Sequence, residues 1–205
     1  MFGRMFIYIF PGGAARLLYN LEKSALRKQI LPLREQLSAE EITVLSDKIN
    51  KRLISLDIFE KSKTIALYIP IKNEVDVRPL FKCEGKRFLF PRVENGTKKL
   101  SFYEAKNMDD FEKGSFNIPE PKTTLPKIEI ENIDLFIVPG VAFSEKCERI
   151  GYGGGFYDST LKYKNRNSYT LGVAFDFQIV EEGFSEPFDE RLDAVATPER
   201  IIINN

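Results

Sequence analysis

Apolar residues follow two registers along this chain, first a helical period and then short, nearly continuous runs. Asn20 can cap a helix that runs through Glu22 to about Leu31, and Pro32 is expected to kink or end it. Ser38-Ala39-Glu40-Glu41 has the form of a capping box, in which hydroxyl and carboxylate each take up a free backbone N–H. After it, Ile42, Leu45, Ile49, Leu53 and Leu56 keep helical spacing. The register then changes. TIALYI at 64–69, RFLFP at 87–91, LSFYEA at 100–105, YTLGVAF at 169–175 and IIIN at 201–204 read as strands. DLFIVP at 134–139 is almost wholly apolar, as expected of a strand covered on both faces. Strands separated by helical stretches imply an α/β fold, a single domain with a mostly parallel open sheet and helices on both faces. Residues 107–132, rich in Pro, Lys and Glu, read as a long surface connection.

The 205 residues, 43% of them hydrophobic, suffice for one sizeable core. The N-terminal run MFIYIF is six residues long and is broken by Pro11-Gly12-Gly13. It is too short for a secretory signal, and no stretch approaches the ~18 apolar residues of a membrane helix. Residues 1–20 therefore read as a loose extension or an early start, ahead of a domain at 21–205. Thirty Lys and Arg balance thirty Asp and Glu, which argues against a dedicated nucleic-acid binder. There is no histidine, so imidazole catalysis, triad hydrolases and most zinc enzymes are excluded. Cys83 and Cys147, far apart, have neither metal-ligand spacing nor a disulfide framework, and read as reduced thiols in a cytoplasmic protein.

The chemistry concentrates in RIGYGGGFYD at 149–158. Four glycines let backbone amides approach a phosphate closely, and the helix expected at 156–163 adds aligned donors. Arg149 offers a planar fork of donors to a phosphate, and Asp158 a carboxylate to a nucleotide's magnesium. Spacing alone leaves open a tight glycine turn beside a solvated acid. The segment is neither a Walker A loop nor the dinucleotide fingerprint, because the required spacings are missing.

With KSALR at 23–27, LYIPIKNEVDV at 67–77, GSFNIPEP at 114–121, DLFIVPGVAFS at 134–144, LGVAFDFQ at 171–178 and DERLDAVAT at 189–197, that loop forms an ordered set. The set resembles the 5-formyltetrahydrofolate cyclo-ligase family over about Leu21 to Ile203. The resemblance implies a Rossmann-like architecture related to sugar-phosphate isomerases and CoA-transferases. It implies cyclisation of 5-formyltetrahydrofolate to 5,10-methenyltetrahydrofolate with magnesium ATP. ATP would phosphorylate the formyl oxygen, the anilino nitrogen would attack the activated carbon, and phosphate would leave as the ring closes. A non-catalytic nucleotide- or folate-binding homologue is the alternative.

By position, the resemblance assigns ATP contacts to Lys23, Arg27, Arg149, Ile150, Gly151, Tyr152, Gly153, Gly154, Gly155, Phe156 and Tyr157. It assigns folate contacts to Ile69, Glu74, Tyr152 and Phe156, and magnesium to Asp158 and Asp189, with Arg149 and Asp158 catalytic. Without it, Lys23, Arg27, Glu74 and Asp189 would read as solvated charges. The chain departs from the usual pattern at Ser144 (Asp), Cys147 (Gly), Phe156 (Tyr), Ser159 (Arg) and Phe188 (His).

Overall fold

The structure, a computed structural model, describes residues 13–181 and 191–204, with side chains from Lys23 onward. Helix α1 (Gly13–Glu35) starts before Asn20 and continues through Pro32. Asn20 is therefore interior to the helix and does not cap it. Pro32 removes a single backbone donor. The turn beyond it survives because Gln36 N donates to Pro32 O at 3.1 Å and the fully buried Arg34 anchors it. Helix α2 (Ala39–Ile54) begins at the expected capping box. Glu41 N donates to the Ser38 hydroxyl at 3.2 Å, and Ser38 N donates to the Glu41 carboxylate at 2.8 Å. Its periodic residues Ile49 and Leu53 are fully buried, each such burial being worth about 1.5–3 kcal/mol. The short α3 (Asp57–Lys61) leads into β1 (Thr64–Ala66).

Strands β2 (Arg87–Val93) and β3 (Leu100–Glu104) form a hairpin. Its turn is closed by Glu94 N to Lys99 O at 3.0 Å, and Gly96 holds a φ of 74°. Residues 107–132 are more ordered than a surface connection. They hold β4 (Phe111–Lys113), β5 (Pro119–Pro121) and β6 (Lys127–Ile128), with β4 and β5 paired as a two-stranded ladder. Prolines at 119 and 121 fit an edge position, where the missing N–H disturbs no central ladder.

Strand β7 (Leu135–Val138) is buried at every position. Residues 140–150 include β8 (Ala142–Ser144) and β9 (Arg149–Ile150). Helix α4 (Phe156–Leu161) then precedes β10 (Tyr169–Val173), β11 (Ile179–Val180), β12 (Ala194–Ala196) and β13 (Ile201–Ile203).

The large sheet is mixed, in the order β13-β12-β10-β7-β1-β2-β3-β6. Its centre from β12 to β2 is parallel, and the pairings at both edges are antiparallel. The β2–β3 and β12–β13 pairings depart from the parallel arrangement because tight turns at 94–99 and 197–200 fold the chain straight back, whereas parallel pairing needs a long crossover. Alternation divides the core. Ile65, Leu135 and Ile137 face one side with Ile49, Leu53 and Phe59 of α2 and α3. Ala66, Phe136 and Val138 face the other with Leu161 of α4. A smaller cluster of Ile30, Val141, Ala142 and Ile150 fixes α1 to the β8–β9 ladder.

The chain moves outward from β1 to β2 and returns on the far side of β1 as β7. The carboxyl ends of β1 and β7 thus flank a topological switch point, the usual place for a ligand crevice in an open α/β sheet.

Candidate active site

Three loops and one helix meet at that crevice. The loop after β1 carries Ile69 to Glu74, with Lys72 and Asn73 in the left-handed region at φ of 45° and 58°. The loop after β7 contributes Pro139 and Gly140. The glycine loop runs from β9 into α4, with Gly153 at φ of 102° and Gly155, the cap of α4, at 70°. Glycine takes such angles without the strain a side chain would bring.

At the glycine loop, Arg149 donates to Pro139 O at 3.3 Å and to the Asp158 carboxylate at 2.5 Å, with its guanidinium over the Tyr157 ring. The Arg149 side chain is buried while Asp158 is half exposed. Arg27 donates to Gly151 O at 2.7 Å. Burial, and then the charge of Arg149, lowers the proton affinity of Arg27, and Asp158 partly offsets this. Two guanidiniums facing one carboxylate leave net positive charge for an anion. Lys23 lies one turn before Arg27 on α1.

Glu74 lies deeper, only 5% exposed. Its carboxylate accepts from Ile71 N at 3.0 Å and stands 4.0 Å from the Arg34 guanidinium, which also donates to the Tyr152 hydroxyl. Burial pushes this carboxyl up to about 7, against the opposing pull of Arg34. Burial also drives Tyr152 up to about 12, with the charge of Glu74 adding to it. Tyr157 and Tyr68 rise for the same leading reason. Ile69 packs half-buried against the core. The ring of Phe156 meets the exposed Phe116 edge-on, with centroids 5.9 Å apart.

The structure thus links Arg27 to Gly151, Arg34 to both Glu74 and Tyr152, and Arg149 to Asp158, with Lys23 on the helix of Arg27 and Arg34. Asp189 and its neighbour Phe188 lie outside the described residues. Sequence reasoning missed Arg34, Gln178 and Phe116. Gln178 donates to Gly140 O at 3.1 Å and Val141 O at 2.9 Å, tying the loops after β7 and β10 together. The segments GSFNIPEP and LGVAFDFQ contain Phe116 and Gln178, so a signal existed for them; Arg34 had none, because its helix was expected to end before it. Ser144, where Asp is usual, is buried and donates to Glu148 at 3.1 Å. Cys147, where Gly is usual, takes a φ of 58°.

Among the described residues, no group of three or more His, Cys, Asp or Glu could hold a metal. Asp158 alone still fits magnesium, which is commonly held by one or two carboxylates together with substrate phosphates and water.

The fold and site together define an α/β protein with a glycine loop, an arginine pair and a buried acid at a sheet switch point. The chain belongs to the 5-formyltetrahydrofolate cyclo-ligase family, whose profile matches residues 20–198. It is 34% identical to the 5-formyltetrahydrofolate cyclo-ligase of Mycoplasma pneumoniae over 184 residues, covering 87% of this chain and all of that one. It is 29% identical to that of Escherichia coli over 174 residues, covering 82% and 96%. Among solved structures it resembles the 5,10-methenyltetrahydrofolate synthetase of Aquifex aeolicus, with a TM-score of 0.79 and 37% identity over 89% of this chain and 93% of that one.

Proposed function

We propose that this protein is an ATP-dependent enzyme that closes 5-formyltetrahydrofolate to 5,10-methenyltetrahydrofolate, releasing ADP and phosphate. One observation carries the reading beyond family membership: the glycine loop is shared by two clusters of opposite character. Its Tyr152 shares the buried Arg34 with Glu74, and its flanks hold Arg27, Arg149 and Asp158.

In this reading Glu74 accepts two hydrogen bonds from the amino-pyrimidinone edge of the pterin, and Ile69 walls one side. Arg27, Arg149 and the loop amides orient the nucleotide phosphates, with Lys23 nearby. Asp158, with Asp189, would hold a magnesium ion, which supplies charge neutralisation on those phosphates. Phosphoryl transfer to the formyl oxygen needs mainly alignment and charge compensation, so a chain without histidine is equipped for it. Attack by the anilino nitrogen then expels phosphate. Kinship with the sugar-phosphate isomerase and CoA-transferase architectures is part of the same proposal, supported by the parallel centre of the sheet.

Folate and ATP are the expected partners, without nucleic acid or membrane, in the cytoplasm. No helix among the described residues is long and apolar enough to cross a membrane. The experiment is to mix purified protein, magnesium ATP and 5-formyltetrahydrofolate and follow the absorbance of the methenyl bridge and phosphate release. Omitting each component in turn separates turnover from mere binding.

Residues 1–20, of which 13–20 form the start of α1, are proposed to be dispensable, since the family match begins at residue 20. A chain starting at Leu21 keeps Lys23, Arg27 and Arg34. It is expected to melt within a few degrees of the parent and turn over normally. A large drop in thermal stability would show that the N-terminal run packs into the fold.

A further inference from the structure

Arg34 is among the largest side chains with no solvent exposure. A buried guanidinium must replace its lost water with acceptors. Here Nε donates to Lys72 O at 2.8 Å, one terminal nitrogen donates to Gly140 O at 3.2 Å, and the other donates to the Tyr152 hydroxyl. The nitrogen on Gly140 also stands 4.0 Å from the Glu74 carboxylate. The main chain joins in, since Arg34 O accepts from the Asn73 side-chain amide at 3.2 Å. One residue of α1 therefore holds the loop after β1, the loop after β7 and the glycine loop together across the switch point.

We propose that Arg34 is a positioning residue for folate: it fixes the loop bearing Glu74 and orients Tyr152 beside that carboxylate. The proposal rests on the cyclo-ligase reading and adds to it a residue that does not itself contact the substrate. The groups facing Glu74 are Arg34 from α1, Tyr68 from the chain beyond β1, Tyr152 from the glycine loop, Tyr157 from α4 and Arg149 from β9. Only Arg34 and Arg149 carry positive charge, and Arg149 is engaged by Asp158. Arg34 is accordingly the leading electrostatic counterweight to the burial of Glu74. A lysine would supply charge without the fork that reaches several acceptors at once.

The test uses the full chain and titrates 5-formyltetrahydrofolate and ATP separately by calorimetry from pH 6 to 9, with turnover measured alongside. Arg34→Met is expected to weaken folate binding by about tenfold at neutral pH, as loss of a hydrogen-bonded buried charge implies. ATP affinity should change less than about threefold, the scale of a contact that does not touch the nucleotide. Its folate affinity should recover at higher pH than the parent's, because a carboxyl without Arg34 gives up its proton later. Arg34→Lys should restore the pH profile but not the full affinity. A side chain that served only packing would shift neither profile. Parental folate affinity and pH dependence in Arg34→Met, or equal losses for ATP and folate, overturn the proposal. If Arg34→Met does not fold, Arg34→Lys decides: weakened folate with unchanged ATP supports the proposal, and parental folate affinity overturns it. A parent that binds and converts 5-formyltetrahydrofolate while the variants match it refutes the role of Arg34 alone. A parent that binds no folate refutes the underlying reading as well.

Discussion

Asp158→Asn is expected to slow turnover by roughly 100-fold or more, the usual scale for removing one group that stabilises charge during transfer. Its carboxylate is half exposed at the glycine loop and 2.5 Å from an Arg149 nitrogen. Asparagine preserves the shape but gives up the negative charge that a hard cation prefers. It also leaves Arg27 and Arg149 without their shared counter-ion. Turnover measured across a range of magnesium concentrations should lose much of its metal dependence. Folate affinity should stay near the parental value, because Glu74 and Tyr152 keep their contacts. A variant that loses folate binding yet retains the parental magnesium response would show that the crevice is not divided in this way.

Glu74→Gln is expected to move function and stability in opposite directions. The amide replaces an acceptor with a donor against the pterin edge. A mismatch of about 1–3 kcal/mol weakens folate binding roughly 5- to 150-fold. ATP affinity should barely change.

Stability responds differently. Burial raises this carboxyl from 4.5 to about 7 in the folded chain. The unfolded chain therefore releases the proton first, and as pH rises from about 4.5 to about 7 the protein loses stability, on the order of 3 kcal/mol. Glutamine resembles the protonated form and cannot ionise. Arg34 keeps its acceptors at Lys72, Gly140 and Tyr152 in that variant. The variant should thus melt above the parent at pH 8 and close to it at pH 5. Melting curves at the two pH values, with folate titrations, check both halves. A lower melting temperature than the parent at pH 8 would show that the charged pair stabilises the fold.

Local signals translated well into local structure. The Ser38–Glu41 box formed as written, and the wholly apolar run at 135–138 became a strand buried on both faces. The β2–β3 hairpin, which was not read from the sequence, marks where antiparallel pairing replaces parallel at one edge. Less was legible where tertiary contacts outweigh a local rule. Pro32 was expected to kink or end α1, yet the helix continues because the next turn buries Arg34 among acceptors from three loops, contacts 38 to 118 residues away in sequence. The glycine loop stood out through composition. Its link to Glu74, through Tyr152 and Arg34, is a long-range contact that no spacing reveals. Glu74 itself looks like a loop charge until its burial is known.

The most direct measurement of the central claim is methenyl absorbance in a mixture of purified full-length protein, 5-formyltetrahydrofolate and magnesium ATP, with phosphate counted in parallel. The account predicts an absorbance rise that requires ATP and folate together, with one phosphate released per methenyl product. Folded protein that binds either ligand but produces no methenyl absorbance under varied metal conditions would contradict it.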